Sequence, residues 1–290
     1  MQWEGRRKSS NIEKGGRGSS RGMMLGGGTL ALVGLVVYLF TGNPLLLRLA
    51  GTQVQAPPRI QVEEVQFTPE EKELYQYSAV VLADTEDTWN ELLPKYGASY
   101  REPKMSVFQD AIQTGCGAAD KGVGPFYCGA DEKIYMDLSF YQMLVQKFGA
   151  EEGDFVMSYV ISHEVGHHVQ NCLGILDKVH RAQQRLSKAE ANAMSVRLEL
   201  QADYLAGVVA KHQDKQGYLD EGDIEEAIGT AWVIGDDAIE KRVQGRVVPE
   251  SFTHGTSEQR TRWFKKGYDA GDLSEFNTFD TKKYPKASDL

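Results

Sequence analysis

The chain has 290 residues, 41% of them apolar, and a formal net charge of −9, which suits one large folded domain or two small ones. Residues 1–22 hold six basic side chains (Arg6, Arg7, Lys8, Lys14, Arg17, Arg21) against Glu4 and Glu13, a balance of +4, so the rest sums to −9 − 4 = −13. An acidic body excludes nucleic acid as the main partner, because phosphate binding calls for clustered Lys and Arg.

In chain order, residues 1–22 end in "GGRGSSRG", which has nothing to bury, and read as a disordered basic tail. Residues 23–40, "MMLGGGTLALVGLVVYLF", are 18 positions without a charge, near the lower limit for a membrane-crossing helix. The basic residues before it place the N-terminus in the cytoplasm and the body outside the bacterial cytoplasmic membrane, as a single-pass protein. A cleaved signal peptide competes, with "VQA" at 54–56 a weak cleavage site. Residues 41–67, with "GTQVQAPPRIQVEEVQ", read as a tether, and residues 68–290 as the folded domain.

Thr68, Pro69 and Glu71 make a capping box that opens a helix to about Leu93. Cys116 and Cys128 bracket a short Gly-rich loop, which a disulfide would close; two free thiols is the other reading. Lys133 to Asp137 is a short β-like run, and a helix begins near Leu138. A further helix starts near Asp154 and stops at Gly174; Cys172 sits on its apolar face as a small hydrophobe. Ser187 and Glu190 form a second capping box before a long helix, "EGDIEEAIGTAWVIGDDAIEKRV" reads as one helix, and Thr256 with Gln259 forms a third capping box. There is no internal repeat. The pattern predicts an α+β, predominantly helical domain with a small sheet.

Three of the six histidines fall at 163, 167 and 168 on one apolar helix. His163 and His167 are four apart, so a helix stacks them on one face. With Glu164 they form H-E-x-x-H: two neutral imidazoles bind zinc and the carboxylate works on a water beside the metal. Gly166, inside the motif, costs roughly 1 kcal/mol relative to alanine in a helix, which points to close approach of another element. A buried histidine pair satisfied by carbonyls is the bland alternative. Catalytic zinc wants three protein ligands and an open position. "RLELQADYLAG" offers Glu199 as the third ligand. Asp203, one turn on, suits accepting the free N–H of a ligand histidine. Ordinary surface acids is the competing reading. A structural zinc site would need a fourth protein ligand, and no Cys or His is placed for it.

Taken together, "HEVGHHVQN", "ELQAD", "VVLADTEDTW" and "GPFYCGADEKIYMDLSF" resemble the bacterial "putative neutral zinc metallopeptidase" family, membrane-anchored H-E-x-x-H proteins with a glutamate third ligand, over about residues 75 to 270. The resemblance implies a zincin-like fold and a membrane-anchored zinc metalloendopeptidase acting on protein or peptide substrates. One zinc ion would sit at His163, His167 and Glu199, with Glu164 as the catalytic carboxylate and Asp203 orienting His163. Cys172 stands where relatives are expected to carry an apolar residue. By the same analogy His254 stabilises an oxyanion and Arg260 sets local charge; a plain loop histidine beside a helix cap is the alternative. "KIYMD" resembles the zincin edge strand that pairs with substrate, with Tyr127 and Tyr135 candidates to line the cleft. His168 points about 100° around the helix from His167 and belongs to the site's support or to the core. A catalytically weak zincin fold used as a membrane-tethered binding module is the rival function.

Overall fold

The structure, a computed structural model, describes residues 1–18, 62–63, 66–109, 111–120 and 123–290. Two extended stretches, β1 (Ile12–Gly18) and β2 (Val62–Glu63), precede α1 (Pro69–Leu92). β3 (Lys104–Gln109), β4 (Ala111–Thr114), β5 (Gly117–Asp120), β6 (Phe126–Cys128) and β7 (Lys133–Asp137) follow. The rest is helical: α2 (Ser139–Met143), α3 (Phe155–Cys172), α4 (Ile175–Gln183), α5 (Lys188–Lys215), α6 (Asp223–Val233), α7 (Asp236–Gln244) and α8 (Ser257–Ala270). The expected α+β, mainly helical architecture is present.

The helix starts follow their caps. Thr68, Ser187 and Thr256 each accept the third backbone N–H of their helix, while Glu71, Glu190 and Gln259 reach back. α3 is opened differently. Asp154 makes no side-chain cap, and Glu226 of α6 takes the Phe155 N–H at 3.1 Å instead. Gly174, at φ +67°, ends that helix region in the left-handed conformation. The single helix expected over "EGDIEEAIGTAWVIGDDAIEKRV" is corrected to two, α6 and α7, parted at Gly235. A Cβ there would stand 2.3 Å from the Ser257 backbone nitrogen, so the turn packs backbone against backbone and only glycine fits.

The larger sheet runs β2-β1-β3-β7-β6. β1, β3 and β7 are parallel, and β2 and β6 are antiparallel additions. Met105 pairs with Ile134 and Val107 with Met136, all fully buried. "KIYMD" is therefore an interior strand, and the expectation that it forms the edge is corrected. The edges, among the described residues, are the two-residue β2 and, on the side of β7, β6. β4 and β5 form a separate hairpin whose turn carries Cys116, bonded to Cys128 at the end of β6.

Helix α3 lies at the centre, packed by α1, α5, α6 and β6. Two helix crossings are tight at a glycine. A Cβ at Gly166 would meet the Ala202 carbonyl at 3.1 Å, which gives the glycine of the motif its packing reason. At the crossing of α5 and α8, a Cβ at Gly207 would stand 2.0 Å from the Phe264 carbonyl, and one at Gly267 1.9 Å from that of Tyr204. This second crossing sets Arg260 against Asp203.

The disordered basic tail expected at 1–22 is corrected for residues 1–18. They are folded onto the body. Asn11 accepts from the Met105 N–H at 2.8 Å as β1 enters beside β3. Arg6 pairs with Asp84, and Arg7 with Glu86 at 2.9 Å and Asp87 at 2.7 Å, all on α1. Ser9 and Asn11 also reach Glu86. The basic residues are therefore counterions for an acidic face of α1, a pairing that composition cannot show because the partners are about 75 residues apart. The folded body accordingly begins before residue 68 and includes β1, β2 and the buried Phe67.

The apolar stretch 23–40 lies outside the described residues. Among the described residues no helix is long and apolar enough to cross a membrane. The pairings Gly18↔Val62 and Arg17↔Glu63 bring the two flanks of 19–61 side by side in one sheet. The single-pass anchor expected over residues 23–40 is supported by no described element.

Candidate metal centre

Helices α3 and α5 supply the site. His163 and His167 present their rings to Glu199 from one face of α3, with ring centroids 4.8 Å apart at right angles. His163 Nε2 lies 3.1 Å from one Glu199 oxygen and His167 Nε2 3.5 Å from the other. One ligand atom from each of the three residues lies within 4.8 Å of the others.

The far side of each ring is held. His163 Nδ1 donates to Asp203 at 2.8 Å, and His167 Nδ1 donates to the side-chain oxygen of Gln170 at 2.9 Å. Both Nε2 atoms face the same point; a bound cation would displace their protons, which the Glu199 carboxylate otherwise holds on the rings, and take both as ligands. Gln170 is itself fixed, donating to the Leu198 carbonyl at 2.7 Å and to Gln201 at 3.1 Å. Two neutral imidazoles and a carboxylate, backed in this way, fit a zinc ion.

Asp203 is fully buried and fully subscribed. Tyr159 donates to it at 2.6 Å, and Arg260 grips both its oxygens at 2.9 Å. Burial pushes its carboxyl up, but the Arg260 charge and His163 outweigh that and hold it at about 2. Arg260 thus acts on Asp203, and through it on His163. Burial raises Glu164 against the charges of His163 and His167, and its side chain remains partly exposed. Glu199 is held well below the ordinary range. Burial opposes this, and the charges of His167 and His254 bring it about. His163, at about 10, loses to burial but gains more from Asp203 and Glu199.

Other expected residues are placed as follows. His254 stands in the loop before α8 with Nδ1 2.9 Å from Asp236. His168 is buried and turned away from the group: Nε2 meets the Arg101 carbonyl, and Nδ1 accepts from the Tyr127 hydroxyl at 3.0 Å. Tyr127 is further held by Asn171 at 3.1 Å, so it pins β6 to α3. Tyr135 belongs to a separate cluster with Phe108 and Cys128, and its hydroxyl donates to Asp131 at 2.6 Å. Gln170, Tyr159 and Asp236 are residues the sequence reading passed over. Gln170 and Tyr159 carry a helical signal, three after His167 and four before His163. Asp236 carries none, since its partner is 18 residues away in a loop. A second acidic group, Asp154, Asp223 and Glu226, adjoins the Met1 ammonium, which pairs with Asp154 at 3.0 Å, Asp220 at 3.0 Å and Asp223 at 3.2 Å.

A family model described as "Putative neutral zinc metallopeptidase" matches residues 1–279. The uncharacterized protein YpfJ of Escherichia coli strain K12 is 47% identical over 286 residues, covering 96% of this chain and 99% of its own. The uncharacterized protein Mb2605 of Mycobacterium bovis is 43% identical over 201 residues, 66% of each chain. No solved structure matches the chain.

Proposed function

Because the chain belongs to the family described as "Putative neutral zinc metallopeptidase", we propose that it hydrolyses peptide bonds in protein or peptide substrates with one zinc ion. The observation that carries this reading is the convergence of His163, His167 and Glu199, with Glu164 beside them on α3. Zinc, when held by those three residues, supplies Lewis-acid chemistry that acidifies water and polarises a carbonyl. Glu164 takes one proton from the attacking water and hands it to the departing amine as the C–N bond breaks. Its raised carboxyl suits both halves of that transfer.

The remaining residues hold or polarise. Asp203 fixes His163 in the tautomer that leaves Nε2 as an acceptor, and Gln170 does the same for His167. Arg260 balances the Asp203 charge. His254 meets the oxyanion of the tetrahedral intermediate. The edge of β6, packed on the helix that carries Glu164, suits an extended substrate added as a further strand. The Cys116–Cys128 bond supports action in an oxidising compartment.

Purified protein never exposed to chelator should carry one zinc per chain and cleave unfolded casein. Glu164→Gln should keep the zinc and lose about 10²–10⁴-fold in turnover. Undiminished cleavage by that variant removes Glu164 from its role, and a metal-free sample removes the zinc site.

A further inference from the structure

The hydrolysis reading leaves a cavity of about 260 Å³ without a task. Ile175 and Val179 of α4, Met194 of α5, and Phe276 and Phe279 beyond α8 supply its apolar walls, and Gln201 of α5 lines it as well. The far wall is fixed by the helix that carries Glu199. Arg197, buried on α5, donates to the Thr278 carbonyl and to that of Tyr284 at 2.8 Å, and the fully buried Thr278 donates back to the Arg197 carbonyl at 2.6 Å. The backbone is thereby held, yet Ile175, Met194, Phe276 and Phe279 all stay half-buried around the cavity. Both ends of Gln201 are engaged: it donates to the Phe276 carbonyl at 3.1 Å and accepts from Gln170 at 3.1 Å. The selecting surface that remains is apolar.

The cavity adjoins the metal group. Gln170, which donates to Gln201, accepts from His167 Nδ1 at 2.9 Å, so two hydrogen bonds link the cavity lining to a candidate ligand. Val179 packs with Leu198, the residue before Glu199, and Ile175, Met194, Phe279 and Tyr127 of β6 pack on the same cluster. The strand edge proposed for substrate and the cavity therefore share one apolar cluster. Side chains of an extended peptide alternate between two faces, so one laid along β6 can turn a single side chain toward α4 and α5. The cavity is smaller than the roughly 300–1,000 Å³ of pockets for drug-sized ligands, which suits one side chain.

We propose that this cavity receives a bulky aliphatic or methionine side chain of the peptide substrate, and so selects peptides that carry such a residue at one fixed position from the cut. Its consequence for cleavage rests on the hydrolase reading. Binding at the cavity needs no turnover.

The test uses the zinc-loaded full chain and a set of peptides in which one leucine is moved through an alanine background. Cuts are mapped by mass spectrometry. Leucine at one position from the cut should raise kcat/KM about 10–200-fold over the all-alanine peptide. Met194→Trp and Ile175→Trp fill the cavity from half-buried positions. Each should remove that preference while cleavage of the all-alanine peptide, zinc content and circular dichroism stay unchanged. Binding is read separately on Glu164→Gln protein labelled with ¹³C-methyl methionine, with Met194 identified by its loss in Met194→Leu. The leucine peptide should shift the Met194 methyl signal, and the all-alanine peptide should not. Cleavage without positional preference, a preference that survives both tryptophan variants, or a Met194 signal that ignores the leucine peptide overturns the proposal. If the wild-type chain cleaves nothing, the hydrolase reading falls on its own, and the methyl spectra still decide whether the cavity takes the side chain.

Discussion

Gln170 and Asp203 hold the rings of His167 and His163 through different chemistry, and their removal should be felt differently. Gln170 is neutral, so Gln170→Ala frees the His167 ring and should weaken zinc binding about 10–100-fold, read by competition with a chromogenic chelator. Little change in zinc affinity would show that α3 alone sets the ring. Asp203 is a buried charge paired with Arg260. Asp203→Ala leaves that guanidinium uncompensated, which costs about 3–5 kcal/mol and should lower the melting temperature even of metal-free protein. At this scale much was legible. The i, i+4 spacings of His163 with His167 and of Glu199 with Asp203 are properties of a helix, so sequence carries them. Arg260 was expected to set charge at the metal, and it acts one residue removed, because the crossing of α5 and α8 is a tertiary fact. Asp236 had no local signature at all.

At the scale of elements, the Gly207–Gly267 crossing holds α8 against α5 and so keeps the guanidinium on Asp203. Gly207→Ala places a methyl where a carbonyl now sits. It should destabilise by about 1–3 kcal/mol, visible as a lower denaturation midpoint. A wild-type midpoint would mean that the crossing yields freely. Capping boxes made the starts of α1, α5 and α8 readable, since both partners lie within one turn. The break at Gly235 was not readable, because its cause is the Ser257 backbone arriving from a later element. Which strand forms the free edge was also hidden: strand order depends on pairing partners, and "FYC" is too short to announce itself.

At the scale of the whole molecule, residues 1–18 are a working part of the body. Removing residues 1–11 strips Glu86 of Arg7, Ser9 and Asn11, and Asp84 of Arg6. That truncation should lose about 3 kcal/mol or more of stability, measured by urea unfolding. Equal stability would show that the segment is only draped on α1. Topology has its own check. In a Cys172→Ser background, Ser10→Cys and Lys282→Cys, both exposed, should react together or be shielded together when intact cells meet an impermeant thiol reagent. Reaction at one position alone would separate the N-terminus from the body. The expectation of disorder failed for residues 1–18 because a basic, Gly-rich stretch has the composition of a tail whatever it later pairs with.

β1 lies between β2 and β3 in the finished sheet. It leaves the ribosome long before its parallel neighbour, since Ile12 pairs with Met105. Until then only the two-residue β2 can pair with it, and closing so long a loop is entropically slow. The nascent chain must therefore keep its opening segment in reserve. The sheet is completed late, and a chain stalled before β3 would hold a sticky, unmatched strand for chaperones to guard.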